Sequence, residues 1–115
     1  MQAYRQEIRL NTPQEIIYTF KDQAGNVIPL DDYTQVFLQV KCQNKARKPD
    51  IAADFVTPKA DGTVRHAGYA FTEIGVTMAQ FYCVDGAGAE LWGDPLNFRV
   101  AGNVEDAGLK DILEL

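Results

Sequence analysis

The sequence predicts an all-β domain built as an antiparallel β-sandwich. Apolar and polar residues alternate with a period of two through most of the chain up to Val100. The alternating runs are short and are closed by Gly, Pro, Asn and Asp turns every 8–12 residues or so, roughly the spacing of sandwiches rather than of parallel sheets. Only the last residues change period. At 115 residues the chain has the length of one domain, and a chain of this size buries about 65% of its unfolded surface, enough for one core without staples.

The first run, residues 4–10, places Tyr4, Gln6, Ile8 and Leu10 on one face and Arg5, Glu7 and Arg9 on the other. Pro13 breaks it. The second run turns Ile16, Tyr18 and Phe20 inward, and residues 22–26 make a hairpin-like turn in which Gly25 and Asn26 tolerate positive φ. Val27, Ile28 and Leu30 read as a short edge segment, because Pro29 lacks the donor a central strand needs. Residues 35–42 form the strongest strand, with Val36, Leu38, Val40 and Cys42 on one face. A polar loop holding Lys45, Arg47 and Lys48 follows, then a weaker strand over 51–56 and a turn at 58–62. Gly68 marks a bulge or break between two short runs. Residues 76–84 are apolar on both faces in places, as in a central strand. The Asp85-Gly86 pair predicts a type I′ hairpin, after which 90–100 returns with Leu96, Phe98 and Val100 in phase.

These boundaries divide the chain into a sandwich over 1–102 and a tail over 103–115. Asn103 can cap a short amphipathic helix carrying Val104, Ala107, Ile112 and Leu113, which Gly108 weakens. The chain then closes on Leu115. This tail packs on its own sandwich, docks on a neighbouring subunit through Ile112, Leu113 and Leu115, or frays.

Composition narrows the function classes. The net charge of −5 does not offer the basic face that nucleic acid requires. No stretch is long and apolar enough to span a bilayer, and the first residues lack the apolar segment of a signal peptide, so synthesis in a cytosol is expected. His66 is the single histidine, which excludes a triad or zinc cluster built on several histidines, and it reads as structural. Cys42 and Cys83 read as buried free thiols: Trp92 follows both, so the Cys–Trp–Cys order of bridged immunoglobulin domains is absent. The Gly-rich stretch at 85–90 has no Lys-Ser/Thr after it and opens no helix, so it reads as a turn rather than a phosphate cradle. Asp22, Asp31, Asp32, Asp50, Asp61 and Asp85 all fall at predicted turns, where Asp bonds its own backbone. No catalytic residue, cofactor or metal is expected, and a small-molecule ligand is not favoured. Tyr33, Tyr69, Tyr82 and Trp92 could line a carbohydrate groove. Trp92, in Leu91-Trp-Gly-Asp-Pro95, is the candidate anchor for a protein partner, with core packing as the alternative.

The runs at residues 8–13, 16–30 and 36–41, with Asp61-Gly-Thr-Val, Tyr69-Ala-Phe, residues 75–88 and Phe98-Arg-Val100, resemble the N-terminal domain of phage baseplate upper proteins over residues 4–103. The resemblance implies an immunoglobulin-like sandwich without catalytic residues. It implies a virion structural or adaptor module of baseplate, tail fibre or head, assembled in the host cytoplasm and acting through contacts with other virion proteins and through self-association. The alternative expectation is a module that recognises host-surface glycan through Tyr and Trp.

Overall fold

The computed structural model describes residues 6–42 and 48–101. Within them the strands are β1 (Gln6–Arg9), β2 (Gln14–Thr19), β3 (Tyr33–Cys42), β4 (Ile51–Ala52), β5 (Asp54–Phe55), β6 (Thr63–Tyr69), β7 (Gly75–Asp85), β8 (Glu90–Trp92) and β9 (Leu96–Ala101). A single 3-10 turn, Lys59–Asp61, precedes β6. The larger sheet has the order β1-β9-β7-β3-β4, with β8 also paired to β7; the smaller has the order β2-β6-β5. The predicted β-sandwich is therefore the observed fold. The tail over 103–115 lies outside the described residues.

The centre of the larger sheet is the β3–β7 pair, whose register runs from Gln35↔Val84 to Cys42↔Thr77. It turns Val36, Leu38, Val40 and Cys42 inward with Thr77, Ala79, Phe81 and Cys83, all buried. Ile16, Phe20 and Val64 meet them from the smaller sheet, and Leu96, Phe98 and Val100 complete the core. One such face, closed by its opposite sheet, is what the period-two pattern specifies.

Several elements differ from the sequence reading for local reasons. β1 runs parallel to β9, Gln6↔Phe98 to Arg9↔Ala101, and so adds one parallel edge to a sandwich expected to be antiparallel throughout. Residues 27–30 form no strand; a lone bridge joins Lys21 to Val27, and Leu30 is instead held by its amide donating to the Lys59 carbonyl at 2.9 Å. The run at 51–56 divides at Ala53, whose amide still donates to the Val36 carbonyl at 2.9 Å, and the chain crosses there from the larger sheet to the smaller. The run at 90–100 divides at Gly93. A Cβ there would fall onto the Tyr18 ring. The Tyr18 hydroxyl also accepts the Asp94 amide at 2.8 Å, so one side chain of β2 spans the sandwich and fixes the break between β8 and β9. Gly68, at φ 75°, lies where β6 carries one extra residue between His66 and Tyr69 against Ile16 and Gln14, which is the bulge, and not the break, of the two readings its position offered.

Two turns prove to be the same device. In each of Asp22-Gln-Ala-Gly-Asn26 and Asp85-Gly-Ala-Gly-Ala89, the Asp Oδ1 accepts two amides at 2.9 Å, from the residues two and four positions on. The Gly at the fourth position has φ 87° in both. The second turn is therefore not type I′ at Asp85-Gly86; its left-handed residue is Gly88.

Two substitutions test this account by urea unfolding. Gly93→Ala forces Tyr18 aside and is expected to cost about 2 kcal/mol as an overpacking change. Asp85→Ala removes two amide acceptors and is expected to cost about 1–2 kcal/mol. Stability equal to wild type in both would contradict these roles.

Candidate functional site

The outer face of the larger sheet carries a row of aromatic rings. Because Val36 and Leu38 point inward, Phe37 points outward, and the strand registers set it beside Tyr82 and Tyr82 beside Trp92. The Phe37 and Tyr82 rings stack at 5.3 Å, and those of Tyr82 and Trp92 at 4.3 Å with 16° between planes. The Tyr82 hydroxyl donates to Asp50 Oδ2 at 2.5 Å. Trp92 Nε1 donates to Glu90 Oε1 at 3.0 Å, and the ring remains 43% exposed. Next along the face come Gln39 and Gln80, the latter donating to the Gly93 carbonyl at 2.7 Å, and then Lys41, Met78 and Asn97. Trp92 is thus a surface ring on a fixed base. Ile112, Leu113 and Leu115, the other sequence-derived contact residues, lie outside the described residues.

A second site lies at the end of the core where β6 finishes. His66 is opposite Ile16 across the β2–β6 ladder, and its ring meets that of Tyr69 edge-on at 5.8 Å. Tyr69 in turn packs edge-on against Phe71 at 4.9 Å. Two buried polar atoms here have no hydrogen-bond partner: His66 Nδ1 and Glu73 Oε2. Burial raises the Tyr69 phenol above its ordinary value, and the Glu73 carboxylate beside it adds to the rise. The phenol is therefore neutral at physiological pH.

Other features are structural. A groove of about 310 Å³ runs between the start of β3 and the β4–β5 crossover, lined by Thr34, Gln35, Phe37, Asp54 and Phe55. Lys59 Nζ lies 4.4 Å from the ring centre of Phe55, one of these residues, and donates to the Tyr33 carbonyl at 2.8 Å. Cys42 and Cys83 are both free and buried. Burial pushes the Cys83 thiol up to about 12, against the opposing pull of Lys59. Among the described residues, no three His, Cys, Asp or Glu side chains gather where they could hold a metal ion. No described helix is long and apolar enough to cross a membrane.

Neither a family model nor a curated protein matches the sequence. Among solved structures, the fold is similar to that of CopC from Methylosinus trichosporium OB3b, with a TM-score of 0.52 and 13% identity over 88% of this chain and 87% of that one. The likeness is one of fold, and it is not to a virion protein; with no family match behind them, the expectations of a phage baseplate, tail or head module and of a virion location are withdrawn. The residues that suggested such a module have plain structural roles: Ile16, Phe20, Leu30, Val36, Leu38, Val40, Phe98 and Val100 are core, and Asp22 and Asp85 cap turns. A shared sandwich with capped turns carries no function by itself. The carbohydrate alternative falls as well, because its four aromatic rings form no common groove. Tyr33 and Tyr69 pack against the core from different sheets, while Tyr82 and Trp92 stack on the outer face.

The sequence reading missed Phe37 and Glu73 as site residues, and took His66 as structural. An outward aromatic inside an otherwise regular inward pattern was the available signal for Phe37. Glu73 had none, since its burial depends on how the β6–β7 connection folds back.

The Cys83 environment predicts both inertness and a pH dependence. In the native protein Cys83 is expected to resist iodoacetamide, and to react on unfolding. Its folded value lies above the ordinary 9.0. The associated stability is thus complete below pH 9.0 and is lost as pH rises from there through about 12. Tyr18 and Tyr69, also raised by burial, add to the loss above pH 10.0. Melting temperatures that stay flat through this range would contradict the assignment.

Proposed function

We propose that the chain is a non-catalytic, metal-ion-binding sandwich whose ion is held by the His66 imidazole and the Glu73 carboxylate beside Tyr69. The observation that carries this reading is the pair of buried, unpartnered atoms, His66 Nδ1 and Glu73 Oε2. A polar atom buried without a partner costs about 1–3 kcal/mol. A divalent cation accepts a lone pair from both atoms at once and removes both costs. Imidazole with carboxylate suits copper(II) or zinc among the common ions. The neutral Tyr69 phenol contributes a dipole, and two protein ligands leave the remaining positions to water or to a further donor.

The test is calorimetric titration of copper(II) into the full chain, with electron paramagnetic resonance of the product. One equivalent is expected to bind with a single-nitrogen coupling. His66→Phe is expected to abolish that coupling, and Glu73→Gln to weaken binding at least about tenfold, the loss of one charged ligand. A copper signal that survives His66→Phe unchanged would overturn the assignment.

A further inference from the structure

We infer that Gly68 is the positioning residue of the site at the end of β6: its left-handed backbone makes the bulge that brings Tyr69 and Glu73 to the side of the chain on which His66 lies. The inference rests on the metal reading of that site and adds the residue that assembles it. Its basis is a change of phase along the chain. Val64 is buried and His66 lies opposite the buried Ile16, while Arg65 and Ala67 are exposed. Carried on without interruption, that alternation would turn residue 68 inward and residues 69, 71 and 73 outward. The opposite is observed. Tyr69 packs on the core, Phe71 is buried and so is one Glu73 carboxylate oxygen, while Gly68, Thr72 and Ile74 are exposed.

The phase shifts at one place. Ile16 pairs with His66 and Gln14 with Tyr69, so β6 advances three residues where β2 advances two. Gly68 lies within that interval at φ 75°. A Cβ there would meet nothing within 4 Å, so the glycine is required for its backbone angle and not for space. A bulge re-aims the side chains that follow it. Here it sets the Tyr69 ring edge-on to His66 at 5.8 Å, with Phe71 against Tyr69 at 4.9 Å. Phe71 in turn meets Phe98 of the larger sheet at 5.3 Å, and its carbonyl accepts the Asn11 amide at 2.8 Å. The re-phased segment is thus tied to the larger sheet, with Glu73 two residues beyond the tie. Gly68 supplies no ligand atom; it acts through the face on which the following residues emerge.

Copper(II) titration of the full chain and its Gly68 variants tests this, by calorimetry and electron paramagnetic resonance. Nuclear Overhauser contacts between the His66 and Tyr69 rings are read in the metal-free protein, with circular dichroism as the folding control. Gly68→Val carries a β-branched side chain that the left-handed region disfavours. It is expected to lose the ring contact and to bind copper at least about tenfold more weakly. Gly68→Ala, the milder change should Gly68→Val not fold, is expected to weaken binding in the same direction. Gly68→Asn tolerates the left-handed region and is expected to keep both the contact and the affinity. Gly25→Val places the same strain at φ 87°, in the turn beyond the other end of β2. It is expected to lower the melting temperature and leave copper affinity unchanged.

A Gly68→Val protein that binds copper as the wild type does overturns the inference and spares the metal reading. So does a Gly68→Asn protein as weak as Gly68→Val, or an equal loss of affinity in Gly25→Val, which would trace the effect to stability alone. A wild type that binds no copper overturns the metal reading and this inference together.

Discussion

The register of β3 against β7 is the constraint on which the rest of the structure depends. Because side chains alternate strictly along a strand, a slip of one residue would exchange the two faces of the sheet. In the observed register Leu38 meets Phe81 and Val40 meets Ala79 inside, while Phe37 meets Tyr82 outside. The same pairing thus closes the core and builds the base of the aromatic row. The bulge between Tyr33 and Gln35 absorbs one extra residue at the top of the pair, where the Thr34 hydroxyl donates to the Val84 carbonyl.

From that central pair the two sheets are tied at a few defined points. Tyr18 reaches from β2 to the β8–β9 break, stacks over Phe81 at 6.3 Å and meets Phe20 edge-on at 4.9 Å. The break it imposes lets β8 lie against Tyr82–Val84 and β9 against Gly75–Ala79 as separate segments. Among the described residues, the buried side-chain polar atoms without a hydrogen-bond partner both lie on the chain around the end of β6. There a buried imidazole nitrogen and a buried carboxylate oxygen are left without partners beside a neutral phenol.

Much of the fold was legible in the sequence because its cause is local. Period-two runs identified the inward sets of β2, β3 and β9 residue by residue, and Asp with Gly marked the turns. What was not legible depends on the chain meeting itself. The parallel β1–β9 edge, the crossover at Ala53 and the contact of Tyr18 with Gly93 have no signature within a short window. The same holds for function. Trp92 could be singled out as a large aromatic near a turn, but its stacking on Tyr82 required the register. His66 was visible as the single histidine, yet its unpartnered nitrogen depends on tertiary burial. The resemblance to a virion family followed strand and turn patterns that the fold explains by itself, which is why it did not carry function.

The central claim is that the end of β6 is a metal site rather than a polar flaw in the core. Since the chain has one histidine, a long-range proton–nitrogen spectrum of the imidazole reads that site alone. On adding one equivalent of zinc(II), the account predicts that the Nδ1 resonance moves to the position of a metal-bound nitrogen while Nε2 keeps its proton. An imidazole spectrum unchanged by zinc would contradict it.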